Sequence, residues 1–287
     1  MVDRVLIQKI AAFTDGQTGG NPAGVAVVDK LPSEAAMQRI AAEVGLSETV
    51  FAEPRQRTWR VRYFSPENEI PFCGHATIAL GAALAALHGA GSFPLALNDG
   101  EIIVTARLQA GVVEATLNSP STRSTPADDR LVQSALMLFD YTKSDLYVGL
   151  PPALAHAGAN HLLIPLNTRA ALAAMRYNLD EGRAFMRANG LVTIAFVYPE
   201  SAKTFHARNA FASGGVYEDP ATGAAAAALA GYLRDGGWPH GGTIEIIQGE
   251  DLGMRSRIRV ELTDAPGSSV RVRGATRVLG SPRYHLV

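Results

Sequence analysis

A single cysteine, Cys73, stands in a chain of 287 residues. No intrachain disulfide can form, so the chain fits a reducing compartment and a cytoplasmic location is expected. Charge is sparse too: 18% of residues carry it, the net charge is −1, and no Lys/Arg-rich run occurs. That balance argues against a nucleic-acid partner and against an anionic membrane surface. The longest apolar run, Ala76 to Leu87, falls short of the roughly 18 residues that span a bilayer. The N-terminal segment Met1 to Lys9 reads as a strand and not as a signal peptide. HExxH, paired CxxC and EF-hand spacings are absent, and so are the P-loop, the dinucleotide fingerprint and the GxSxG elbow. Neither a metal nor a cofactor is therefore expected.

Hydrophobic residues make up 47% of the chain, enough for a sizeable core in one large domain or two medium ones. Two segments look like copies of one device. Pro71-Phe72-Cys73-Gly74-His75-Ala76-Thr77 runs into an Ala/Leu helix, and Glu218-Asp219-Pro220-Ala221-Thr222-Gly223 runs into Ala224 to Leu233. Asp219 follows Cys73 by 146 positions, and Gly190 follows Gly45 by 145. Two landmarks at one spacing argue for an internal duplication. Both helices are small-residue-rich all round, which predicts burial on every side, with a sheet curled around each.

The first lobe is expected to carry strands at Arg4 to Phe13, Ala23 to Val28, Leu46 to Ala52, Thr58 to Phe64, Glu101 to Arg107 and Val112 to Leu117. A helix is expected after Ser33, which serves as N-cap, with Met37, Ile40, Ala41 and Val44 as its apolar stripe and Gly45 as its stop. The second lobe repeats this order loosely, with a strand at Leu162 to Leu166, a helix at Asp180 to Ala188 and a strand at Leu191 to Phe196. The Ser/Thr/Pro cluster Asn118 to Pro126 is the expected linker. The lobes are accordingly 1–118, which a strand near 277–287 can rejoin, and 127–276.

Each turn feeds a helix N-terminus, whose free N–H groups and positive dipole suit a small anion such as a carboxylate. Period-2 alternation in Leu46-Ser47-Glu48-Thr49-Val50-Phe51 puts Glu48 on the face of Leu46 and Val50. A carboxylate on an apolar face is desolvated, which raises its pKa toward the range that acid/base catalysis uses. The repeat matches Glu48 to Thr193, so the fold does not itself demand a carboxylate there. The same residues also have plain structural readings. Glu48 reads equally as a strand-edge residue reaching water, His75 as a cap or packing group, Asp219 as an N-cap, and Cys73 as a small buried apolar residue.

The motifs Gly20-Asn21-Pro22-Ala23-Gly24-Val25, Leu46 to Phe51, Arg62 to His75, Glu218 to Gly223 and Gln248 to Gly253 together resemble the PhzF-like family of the diaminopimelate-epimerase fold, over essentially the whole chain. The resemblance implies an α+β fold of two pseudo-symmetric lobes, each a β-barrel-like sheet around a central helix, with the active site between them. It also implies a homodimer and no cofactor. The type member isomerises trans-2,3-dihydro-3-hydroxyanthranilate in phenazine biosynthesis by moving a proton from C3 across the conjugated system. The family's essential residues fall on Glu48, His75 and Asp219. Asn21, Ser47, Gly74, Thr222, Gly223 and Ala224 become the substrate-binding candidates. Racemases of this fold use two thiols, whereas this chain places Cys73 and Asp219 at the matching positions, which favours isomerisation by one carboxylate. The sequence departs from the family at Ala224, where a serine is usual, and at Gly253-Met254-Arg255-Ser256, where Arg-Pro-Ser usually follows the glycine. The expected activity is a cofactor-independent isomerase acting on a small carboxylate-bearing substrate. Two other readings are a racemase or epimerase that uses Cys73 with a carboxylate, and a non-catalytic binding protein of the same fold.

Overall fold

The computed structural model describes residues 4–286. The outermost residues of the two expected terminal strands, 1–3 and 287, lie outside the described residues. The chain divides into two compact units, Met1–Asn118 with Arg273–Val287, and Ser119–Val272.

The first unit runs β1 (Arg4–Ala12), β2 (Asn21–Val27), α1 (Glu34–Val44), β3 (Thr49–Arg55), β4 (Thr58–Phe64), β5 (Glu69–Ile70), α2 (Gly74–His88), β6 (Gly91–Leu97), β7 (Gly100–Gln109) and β8 (Val112–Asn118). Pairing is antiparallel for β1–β2, β3–β4, β6–β7 and β7–β8, and parallel for β2–β3 and β4–β6. The second unit begins with β9 (Arg123–Pro126), α3 (Asp129–Leu138), β10 (Ala153–His156), β11 (Asn160–Pro165), α4 (Arg169–Ala173), α5 (Leu179–Ala188), β12 (Thr193–Pro199) and β13 (Thr204–Phe211). It continues through β14 (Val216–Asp219), α6 (Gly223–Asp235), β15 (Thr243–Gln248) and β16 (Ser256–Glu261). The last strand, β17 (Arg271–Leu286), pairs with β1 antiparallel and with β8. That closes the first unit into an eight-stranded barrel, β1-β2-β3-β4-β6-β7-β8-β17.

Helix α2 packs against β1, β2, β3, β6, β7 and β8, and every residue from His75 to Leu84 is buried. A helix with no polar face has to be enclosed in this way. Helix α1 uses one stripe only. Ser33 caps it by accepting from the Ala36 N–H, and Gly45 closes it in the left-handed conformation. Its buried residues are Ala36, Met37, Ile40, Ala41 and Val44. Met37 and Ile40 are fully buried, each stabilising the fold by about 1.5–3 kcal/mol.

The second unit repeats the pairing order. β10–β11 is antiparallel, β11–β12 parallel, β12–β13 and β13–β14 antiparallel, β13–β15 parallel and β15–β16 antiparallel. The series β1–β2, β2–β3, β3–β4, β4–β5, β4–β6, β6–β7 has the same senses in the same order. The duplication is thus a repeat of strand pairing. Helix α6 is the counterpart of α2 and packs against β9, β10, β11 and β16. No described helix is long and apolar enough to cross a membrane.

Two expectations need correction, and one strand was not expected. The strand at Leu46 begins only at Thr49 and is buried on both faces, with Thr49 to Ala52 all at 0% exposure. Alternation therefore does not place Glu48, which sits in the approach to the strand. The Ser/Thr/Pro cluster is half strand, because Arg123–Pro126 pairs with β10 and its proline lies at the strand end. Strand β6 escaped the reading because it contains Pro94. Pro94 lies outside the short β4–β6 pairing, which involves only Leu95 and Ala96, but within the β6–β7 ladder, opposite Ile103.

Candidate active site

Glu48 is the last residue before β3. Its carbonyl accepts the Gly24 N–H at 3.0 Å, where the parallel β2–β3 ladder starts. The strands approach closely here: a Cβ on Gly24 would lie 2.7 Å from Thr49 Oγ1, so only glycine fits. The Glu48 side chain is buried beside this crossing, with 9% of the residue exposed. His75 is the second residue of α2 and lies at 6% exposure. Its Nε2 stands 3.2 Å from Glu48 Oε2, and its Nδ1 stands 3.3 Å from Cys73 Sγ. The imidazole therefore bridges a thiol on one edge and a carboxylate on the other. Neither Glu48 Oε2 nor His75 Nε2 makes a hydrogen bond of good geometry among the described residues. Two buried polar atoms in contact but unaligned are open to a third group that would align them.

The turn beneath is braced from the core. Thr77 Oγ1 donates to the Cys73 carbonyl at 2.7 Å, so the Tyr63 hydroxyl, 2.7 Å away, donates to Thr77. Burial pushes the Tyr63 phenol above its ordinary range, which keeps that donor proton in place. Cys73 is the N-cap of α2, but its side chain caps no N–H.

In the second unit Asp219 ends β14, opposite Asn209 of β13. Its neighbour Glu218 is clamped by Arg208, whose Nε reaches both carboxylate oxygens at 3.0 and 3.1 Å and whose Nη1 reaches the Ala173 and Met175 carbonyls. Asp219 is not the N-cap of α6. Thr222 holds that place, and its hydroxyl turns back to Asp219 Oδ2 without capping the helix. Gln248, at the end of β15, contacts both ends of this turn. Gly223 and Ala224 form the first residues of α6. Thr193, which the repeat matches to Glu48, is fully buried, and its hydroxyl meets His161 Nδ1 at 2.7 Å.

The structure thus brings Glu48 and His75 together with Cys73, and it brings Asp219, Thr222, Gly223 and Ala224 to the head of α6. Asn21 is the buried first residue of β2, Ser47 is half-buried in the approach to Glu48, and Gly74 is the first residue of α2. Sequence reasoning missed the contact of Cys73 with His75 and the part played by Gln248. The signal for both was position, since each lies inside a motif already singled out. Glu48, Cys73 and His75 offer donor atoms all within 4.8 Å of one another and could hold a metal ion. With Nδ1 turned to the thiol and Nε2 to the carboxylate, however, the ring sits between the other two donors as a relay does.

A sequence profile described as "Phenazine biosynthesis-like protein" matches residues 10–280. An uncharacterized isomerase of Mesorhizobium japonicum is 35% identical, covering 91% of this chain and 92% of that protein. The trans-2,3-dihydro-3-hydroxyanthranilate isomerase of Pseudomonas chlororaphis is 33% identical, covering 86% of each. The crystal structure of a PhzF-family phenazine biosynthesis protein from Bacillus anthracis shares the fold, with a TM-score of 0.87 at 21% identity over 99% of this chain and 100% of that one. With a profile spanning the barrel, both turns and both central helices, and with relatives named as isomerases over nearly their full length, this chain is an isomerase that belongs to the phenazine biosynthesis-like, or PhzF, family.

Proposed function

We propose that this isomerase relocates one proton within a small, unsaturated, carboxylate-bearing substrate, with Glu48 as the group that removes the proton and returns it. The observation that carries the proposal is the buried contact of Glu48 Oε2 with His75 Nε2, where neither atom is committed to another hydrogen bond. In the step, Glu48 takes a proton from a saturated carbon beside a double bond, and the C–H electron pair moves into the carbon framework. The double bond shifts, and the carboxyl returns the proton to the far carbon. Atoms and charge balance with no added reactant, so no cofactor is invoked. His75 orients the Glu48 carboxyl. Asp219 holds a substrate amine or hydroxyl, and the N–H groups at the heads of α2 and α6 suit a carboxylate. Asn21, Ser47 and Thr222 complete the proposed binding set.

The substrate proposed first is trans-2,3-dihydro-3-hydroxyanthranilate, on which the P. chlororaphis relative is named. Wild-type turnover of this compound with at least about a hundredfold loss in Glu48→Gln is expected from the size of general acid–base effects. Undiminished turnover in that variant would remove Glu48 from the mechanism. A second reading, a racemase using Cys73, draws on the contact between its thiol and His75. It requires solvent deuterium to enter the α-carbon of an amino acid substrate, and thiol alkylation to abolish activity.

We further propose a cytoplasmic homodimer. The lone cysteine supports the reducing compartment. Light scattering at twice the 30.4 kDa chain mass is the expected result for the dimer, and a monomer mass would refute it.

A further inference from the structure

Gln248 is 1% exposed, and its single amide is fully used. Oε1 accepts the Thr222 N–H at 3.2 Å. Nε2 donates one hydrogen to the Asp219 carbonyl at 2.6 Å and the other to Thr222 Oγ1 at 3.1 Å. Because Thr222 Oγ1 receives a hydrogen from Gln248, its own hydrogen is directed at Asp219 Oδ2. Asp219 is thereby held at its backbone and at its carboxylate, and both holds trace to Gln248.

We propose that Gln248 is a positioning residue that sets the Asp219 carboxylate through the Thr222 hydroxyl; this rests on the role given to Asp219 under Proposed function. The direction of the Thr222 hydroxyl separates this from ordinary scaffolding. A threonine at an N-cap usually turns its hydroxyl to the helix N–H groups, and here it turns to Asp219 instead. The network therefore serves the carboxylate and not the helix end.

The platform is rigid. Gln248 closes β15, opposite Ala207 of β13 and Ser256 of β16, while Asp219 is opposite Asn209 of β13. Both ends of the brace thus stand on β13. Gly249 follows with φ +75°, and a Cβ there would lie 2.7 Å from the Pro220 carbonyl oxygen. That close approach seats Gln248 directly against the Asp219 to Thr222 turn. Only an amide meets the demand, because the site asks for one acceptor and two donors. Glutamate keeps the volume and the acceptor but loses both donors.

The test uses the full chain and trans-2,3-dihydro-3-hydroxyanthranilate, with wild type, Asp219→Asn, Gln248→Glu, Thr222→Val, Thr222→Ser and the Gln248→Glu/Thr222→Val double variant. Gln248→Glu is expected to lower kcat about tenfold, the scale of one lost hydrogen bond, with KM within about threefold and the melting temperature near wild type. Thr222→Val is expected to match it, Thr222→Ser to lose less than Thr222→Val because it keeps the hydroxyl, and the double variant to lose no more than either single one, as for residues acting in one line. Wild-type kcat in Gln248→Glu, or full additivity in the double variant, overturns the proposal. If Gln248→Glu does not fold, the Thr222 pair decides: equal activity of Val and Ser overturns it. If wild type is inactive on this compound, or Asp219→Asn is fully active, the functional reading fails separately. Crystal structures then decide, with an intact Thr222–Asp219 contact in Gln248→Glu overturning the positioning role and a broken one supporting it.

Discussion

Glu48 Oε2 and His75 Nε2 stand 3.2 Å apart in a buried setting, yet without an aligned hydrogen bond between them. A pair that acts as one unit gives non-additive losses when it is broken. His75→Asn is expected to lower kcat by about tenfold to a hundredfold, within the range of positioned acid–base groups. Added to Glu48→Gln, it is expected to cost little more than Glu48→Gln alone. Steady-state kinetics on the four proteins of the cycle give the answer, and independent, multiplying losses would show that the two residues act separately.

Cys73 Sγ lies against the other edge of the same ring, 3.3 Å from Nδ1. In the isomerase reading the thiol only fixes the ring, so a hydroxyl can substitute. Cys73→Ser is expected to stay within about threefold of wild type, and Cys73→Ala to lose about tenfold in kcat, the scale of one hydrogen bond. Complete inactivation of both variants would favour the thiol as a reacting group. The outcome is read from kcat and from deuterium incorporation at the substrate carbons.

The Arg208–Glu218 pair fixes the strand that ends in Asp219. Arg208 and Glu218 side chains are 8% and 1% exposed. Removing Arg208 strands the Glu218 carboxylate in the interior, which costs about 3–5 kcal/mol, whereas Arg208 without Glu218 still has Asp251 at 3.9 Å. Arg208→Met is expected to lower stability on that scale and Glu218→Gln by less, while the double variant is expected to recover part of the Arg208→Met loss. Urea unfolding of the three variants checks this, and full additivity would mean that the pair is not coupled.

Much of this architecture could be read in the chain, and the failures have physical causes. Helix α1 was legible because every device sits in local sequence: the Ser33 cap, the stripe of Met37 and Ile40, and the Gly45 stop. The paired turns were legible because a duplicated motif betrays a duplicated topology. Glu48 was singled out by alternation, and the structure buries it beside His75 for a different reason. Alternation assumes a strand with one wet face, whereas Thr49 to Glu53 of β3 are all buried and Glu48 precedes the strand, its carbonyl bonded to the Gly24 N–H. Gln248 lay inside a motif already singled out, but its contacts were not legible, because its two partner residues, Thr222 and Asp219, are 26 and 29 positions away. Strand β9 was hidden by Ser, Thr and Pro, residues whose turn chemistry outweighs their strand chemistry until a neighbour such as β10 supplies a ladder.

His161 links the repeat to pH. It is fully buried, and its Nδ1 meets Thr193 Oγ1 at 2.7 Å. Burial, with a lesser contribution from the charge of nearby His156, pushes its imidazole down to about 3 from an ordinary 6.5. Above pH 6.5 both folded and unfolded chains hold it neutral, and it contributes no pH dependence. Between 6.5 and about 3 the unfolded chain binds a proton that the folded chain refuses. Stability therefore falls as pH drops through that window, by at most about 1.4 kcal/mol per pH unit from this residue. His161→Gln removes the titration. It is expected to be less stable than wild type at pH 7.5, because the Thr193 contact and the packing are disturbed, but to lose stability more slowly on acidification. Urea unfolding of both proteins at intervals from pH 7.5 to 4.5 measures the two slopes. Parallel slopes would show that His161 takes up its proton in the folded state as readily as in the unfolded one.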